Sequence, residues 1–129
     1  MTSTKSTNQL LILQAMIAIA SADGVIDGDE VTNIRNLYAQ ENGEEASVHD
    51  IAKAAHMLEA NGGSILKTLS DACATMDETT KESLLRASYL VLLADGQVAS
   101  QERKKLYAFA STLKIPQIHL SVILEDVSD

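Results

Sequence analysis

Two acidic stretches of one pattern hold the side chains with the most scope for chemistry. Ala22-Asp23-Gly24-Val25-Ile26-Asp27-Gly28-Asp29-Glu30 and Ala94-Asp95-Gly96-Gln97-Val98-Ala99-Ser100-Gln101-Glu102 both read A-D-G-x-[IV]-x-x-x-E. Carboxylates at short spacing beside a glycine turn are the hard oxygen donors that calcium, magnesium and manganese take. Asp23, Asp27, Glu30, Asp95 and Glu102 are therefore the candidate metal ligands. The first copy looks like the second half of an EF-hand loop, with Gly24 at the sharp turn, Ile26 pairing the loops and Glu30 as the bidentate acid. The first half fails. In that register the opening ligand positions fall on Ile19 and Ser21, and in the second copy on Val91 and Leu93. Three of those four are apolar and cannot supply oxygens to calcium, so neither copy is an EF-hand loop. The copies also differ from each other: Asp27 and Asp29 are replaced by Ala99 and Gln101, which makes copy one the stronger candidate.

The same residues also have a structural use. A glycine just past a helix end accepts the left-handed conformation that closes it, so Gly24 and Gly96 can act as stops. Asp27 and Glu30 have the spacing of a capping box, and Asp29 and Glu30 suit the positive end of a helix dipole. In the second copy Glu102 persists although Ala99 cannot cap, which weakens the purely structural reading. Ion binding and helix punctuation both stand at this level.

The elements that must position these acids read as helices throughout. Asn8 to Ala22 is apolar nearly all round except at Gln9, Gln14 and Ser21, the signature of a helix in the middle of its domain. A second helix spans Gly28 to Gln40 with Val31, Ile34, Leu37 and Tyr38 inward, followed by an acidic connection from Glu41 to Glu45. Ser47 and Asp50 form a second capping pair and open a third helix with Val48, Ile51, Ala55, Met57 and Leu58, which Asn61-Gly62-Gly63 ends. Ser64 caps a fourth, from Ile65 to Met76. Thr79 with Glu82 opens a fifth through Leu84, Leu85, Tyr89, Leu90, Leu92 and Leu93, the counterpart of the first. A sixth runs from Ser100 to Thr112, with Leu106, Phe109 and Leu113 inward. Pro116, at home in a first turn, starts a last helix with Ile118, Leu120, Val122, Ile123 and Leu124. Each acidic signature thus joins an apolar helix to an amphipathic one, a unit duplicated within the chain.

Composition agrees. The 129 residues are 46% hydrophobic but only 3% aromatic, with one Pro and no Trp, which favours helix formers over sheet formers and one all-α domain. Residues 1–7 read as a disordered polar tail and residues 8–129 as the domain. The net charge of −8 concentrates between Asp23 and Asp50, where Arg35 is the lone Lys or Arg. Such a field repels phosphate backbones, so nucleic acid is excluded as a partner and a cation or a basic protein surface is favoured. Arg103-Lys104-Lys105 reads as a solvated helix face.

Cys73, the single cysteine, lies in an apolar helical setting and reads as a buried, inert thiol in a reducing compartment. Lys5, the apolar Leu10 to Ala20 and Ala20-Ser21-Ala22 imitate a secretory signal, but the matching run Leu84 to Ala94 lies mid-chain before the same Asp-Gly. The expectation is a cytoplasmic protein with no transmembrane segment. His49 and His56 lack the i, i+4 spacing of a two-histidine metal pair and His119 is distant in sequence, so all three read as surface or satisfied residues. Met16, Met57 and Met76 read as core filler. There is no glycine-rich phosphate loop, no G-x-S-x-G and no motif around Cys73, so the chain reads as a non-enzyme.

An apolar helix, A-D-G-x-[IV]-x-x-x-E and an amphipathic helix, occurring twice with helices between, resembles the TerB-like family of tellurite-resistance proteins. The resemblance covers Leu10 to Ile118 and includes the approach Asp77-Glu78-x-x-Lys81-Glu82-x-Leu84-Leu85 to the second copy. It implies a seven-helix bundle whose repeats are related by an approximate two-fold, and it makes Asp23, Glu30, Asp95 and Glu102 metal-ligand candidates. It also implies a role in bacterial stress response, with the acidic surface binding divalent cations or docking protein partners; a homodimer fits as well. The alternative is a helical interaction scaffold whose acidic motifs are purely structural, since domains of this family also occur attached to co-chaperone and membrane-associated proteins.

Overall fold

A computed structural model of the chain describes residues 7–20, 28–60, 64–95 and 100–128. Among them are seven α-helices and no strand: α1 (Thr7–Ala20), α2 (Gly28–Asn42), α3 (Val48–Ala60), α4 (Ile65–Ala72), α5 (Glu78–Asp95), α6 (Ser100–Thr112) and α7 (Gln117–Ser128). The all-α expectation holds. The stops expected at Gly24, Gly62, Gly63 and Gly96 lie outside the described residues.

The arrangement follows from the sequence of α1. Leu10, Leu11, Ile12, Leu13, Ala15, Met16, Ile17 and Ile19 are all buried, a run that covers every face of the helix. Such a cylinder leaves water only if other helices surround it. α5 packs most extensively against it, joined by α3, α2 and α4; α5 in turn carries α2, α6 and α7 on its other sides. Leu84, Leu85, Ala87, Tyr89, Val91 and Leu92 are its buried set, so the helices expected to correspond are also the two that pair at the centre.

Polar groups inside this core are few. The Ser88 hydroxyl donates to the Leu84 carbonyl at 2.8 Å and that of Thr68 to the Ser64 carbonyl at 3.1 Å, so each is satisfied within its own helix. Gln14 is 1% exposed, and neither amide atom has a hydrogen-bond partner among the described residues. A buried amide left so costs of order 1–3 kcal/mol, which α1 carries in the midst of its apolar surface.

Helix ends show how local residues set the boundaries. At α3 the Ser47–Asp50 capping box closes in both directions, the Asp50 N–H donating to Ser47 Oγ and the Ser47 N–H to Asp50 Oδ2, each at 3.0 Å. Ser64 caps α4 through the Lys67 N–H at 3.3 Å. The cap of α5 is Asp77, whose Oδ1 accepts the Thr80 N–H at 2.8 Å, not Thr79, which lies inside the first turn. Those bonds to Thr80, side chain before backbone, hold the Asp77 carboxyl below its ordinary pKa. The fourth helix ends at Ala72, short of Met76, because the chain tightens into a 3-10 turn over Cys73–Thr75. Cys73 is buried there, as expected.

α2 continues through Glu41 and Asn42, so part of the expected connection is helical. It stops at Gly43, whose φ is +73° and whose N–H donates to the Ala39 carbonyl at 2.9 Å. α6 ends similarly, but on a lysine. Lys114 sits at φ 61°, its N–H reaching Ser111 O at 3.1 Å while the Ile115 N–H reaches Ala110 O at 2.8 Å. That pair of bonds is the Schellman closure, normally given to glycine because a Cβ is strained there. Among the apolar residues of these helices, Val48 at 57%, Leu93 at 37%, Ile118 at 78% and Val122 at 53% exposure face outward. Each lies near a helix end or on the solvent side of a helix whose other apolar residues already fill the core.

Two substitutions check the caps by thermal unfolding. Lys114→Gly relieves the left-handed strain and stabilises by about 0.5–1 kcal/mol net of the unfolded-chain entropy glycine adds. Gly43→Ala costs about 1 kcal/mol from backbone strain, since a Cβ there meets nothing within 4 Å. The opposite signs would show that these residues do not close their helices.

Candidate functional site

The first acidic corner joins α1 to α2. Asp29 and Glu30 stand in the first turn of α2, where unsatisfied N–H groups favour carboxylates, Asp29 exposed and Glu30 half-buried. The Thr32 hydroxyl donates back to the Gly28 carbonyl at 3.0 Å in the same turn. Asp23 and Asp27 lie outside the described residues. At the second corner Asp95 is the last residue of α5 and Glu102 lies near the start of α6, with both side chains outside the described part.

The other end of α2 continues the acidic surface. Glu44 and Glu45 are exposed, and Gln9 of α1 donates its amide to Glu44 Oε1. Arg35 sends its Nε to the Ala46 carbonyl at 3.0 Å, bracing the α2–α3 connection. Tyr38 is wholly buried in α2, and its hydroxyl is pushed up to about 12, first by burial and then by the negative charges of Glu44 and Asp50.

Glu41 ties the last turn of α2 to α5. Its Oε2 accepts the Ser83 hydroxyl at 3.3 Å and lies 3.6 Å from Arg86 Nη1. The Ser83 hydroxyl also lies 3.1 Å from Asn42 Oδ1, so its one proton is shared between two acceptors. Burial raises the Glu41 pKa above its ordinary value, and the attraction of Arg86 with the bonds from Ser83 and Arg86 offsets only part of that rise.

A cluster invisible to sequence spacing lies at the start of α5. Glu78 and Glu82 are one helical turn apart, and His119 in the first turn of α7 comes up beside them. His119 Nε2 is 3.8 Å from Glu82 Oε1, which also receives Arg86 Nη2 at 3.3 Å. The i, i+4 glutamates were legible in the sequence. Their histidine was not, because only the packing of α7 on α5 brings it there. His49 and His56 are exposed on α3, the surface setting expected of them.

A duplicated all-α unit with an acidic helix-to-helix corner defines the class of this domain. The family model described as "Tellurite resistance protein TerB" matches residues 9–123, and the chain belongs to that family. No curated protein and no solved structure matches it. Both acidic corners fall within the matched span. Among the described residues no helix is long and apolar enough to cross a membrane.

The raised Glu41 pKa has a pH signature, read from the stability of wild type minus that of Glu41→Gln. A group whose folded pKa is raised contributes stability that is full below its unfolded value and lost as pH rises through the folded one. The difference is therefore largest below the ordinary value of 4.5 and shrinks as pH climbs above it, levelling once folded Glu41 is ionised. Denaturant titrations across acid to neutral pH check this; a difference that grows with pH would contradict the assignment.

Proposed function

We propose that this chain is a non-enzymatic stress-response module of the bacterial tellurite-resistance type that works through its acidic corners, where Asp23, Asp27 and Glu30, and in the second copy Asp95 and Glu102, take up a calcium, magnesium or manganese ion. The observation that carries the reading is the family match across residues 9–123, which contains both copies of the signature. The first turn of α2 adds support, because Asp29 and Glu30 concentrate negative charge at the positive end of a helix. All-oxygen donors of this kind suit calcium, magnesium or manganese better than zinc or copper. Tellurite chemistry at the protein itself would need a reactive thiol, and Cys73 is buried, so the contribution to resistance is indirect.

The second reading is a cytoplasmic docking scaffold in which the corner acids only shape helix ends and the acidic face meets a basic protein partner, in a monomer or a homodimer. It is favoured by how the described acids at other helix starts are used: Asp50 accepts the Ser47 N–H within the capping box of α3, and Asp77 accepts the Thr80 N–H as the cap of α5.

Calorimetric titration of calcium, magnesium and manganese into wild type and into Asp23→Ala/Glu30→Ala separates the two. Ion binding gives heat and a rise in melting temperature that grows with ion concentration, both lost in the double variant. Absence of heat and of any melting shift in wild type would remove the ion-binding reading and leave the scaffold.

A further inference from the structure

The geometry points to a second metal site, separate from the acidic corners, in which Glu78, Glu82 and His119 together bind a first-row transition ion of the zinc class. One ligand atom from each of the three residues lies within 4.8 Å of the others. Three points so spaced all lie within about 2.8 Å of a common centre, and side-chain shifts of under an ångström reach the zinc bond lengths of about 2.0–2.2 Å.

The chemistry of the set is mixed, which distinguishes it from an acidic patch. Two carboxylates neutralise a divalent charge, while the imidazole nitrogen adds a donor that zinc, iron and nickel accept and that calcium and magnesium do not seek. The ligands also come from two helices. Glu78 and Glu82 stand on one face of the first two turns of α5, and α7, which packs on α5 and buries Leu120 and Ile123 in the core, carries His119 to them. At 3.8 Å, His119 Nε2 and Glu82 Oε1 are neighbours but too far apart for a hydrogen bond, a separation that suits two ligands of one ion. Arg86 contacts Glu82 but divides its guanidinium with Glu41, leaving the pair of glutamates only partly compensated. Three protein ligands leave a fourth position for water, the arrangement of an open zinc site.

Zinc titration of the full chain by calorimetry tests this, with wild type, His119→Ala, Glu78→Gln, His49→Ala/His56→Ala and Asp23→Ala/Glu30→Ala compared. Wild type binds one zinc ion that excess calcium does not displace, and zinc raises its melting temperature. His119→Ala and Glu78→Gln each weaken the affinity at least about tenfold. The variants at residues 49 and 56 and at residues 23 and 30 leave zinc binding unchanged, so failure at the corners and failure here are read separately. No zinc binding, binding indifferent to His119→Ala, or binding lost with His49 and His56 instead would overturn the site.

Discussion

Everything in this molecule depends on the need to surround α1. A helix apolar on all sides has no face to offer water, and each Leu or Ile it buries is worth about 1.5–3 kcal/mol against exposure. With residues 10–17 and 19 all buried, no single partner helix suffices, and α5, α3, α2 and α4 each cover a sector. α5, with Leu84, Leu85, Ala87, Tyr89, Val91 and Leu92 buried, is its principal partner. The bundle is thus a central pair of corresponding helices with amphipathic ones docked around it, and the acidic corners sit where that pair hands over to α2 and α6.

Away from the core, the polar contacts mark where helices register against one another. The cluster of Glu41, Asn42, Ser83 and Arg86 fixes the end of α2 against α5, and Arg86 passes on to Glu82, where α7 arrives with His119. A chain of half-buried charges thus runs from the close of one repeat's amphipathic helix to the last helix of the domain. Within that chain Glu41 is pushed upward because burial strips its carboxylate of water, a cost that the attraction of Arg86 offsets only in part.

Much of the fold was legible in the sequence because helix signals are local. The apolar run of α1, the Ser47–Asp50 box, the Ser64 cap and the inward set Leu106, Phe109 and Leu113 follow from spacing alone, and the repeat fixed which helices correspond. What escaped depends on competition or on packing. Asp77 displaced Thr79 as the cap of α5 because its carboxylate reaches the Thr80 N–H directly, and Lys114 ends α6 where no glycine announced a stop. Ile118 is one of the apolar residues of α7, yet Leu120 and Ile123 are the ones buried in the core and Ile118 is left outside. The acids of the corners were legible as a motif from the outset. The grouping of Glu78, Glu82 and His119 could come only from three dimensions, since His119 gains its neighbours by the docking of α7.

Native-state hydrogen exchange tests the dependence on α1 most directly. If the central pair holds the domain together, the amides of Leu13, Ala15 and Met16, and of Leu84 to Leu92 in α5, exchange only through global unfolding, with protection equal to the stability measured by denaturant. The amides of α6 and α7 open earlier, at lower free energy. Exchange of α1 by local opening while α6 and α7 remain protected would contradict the account.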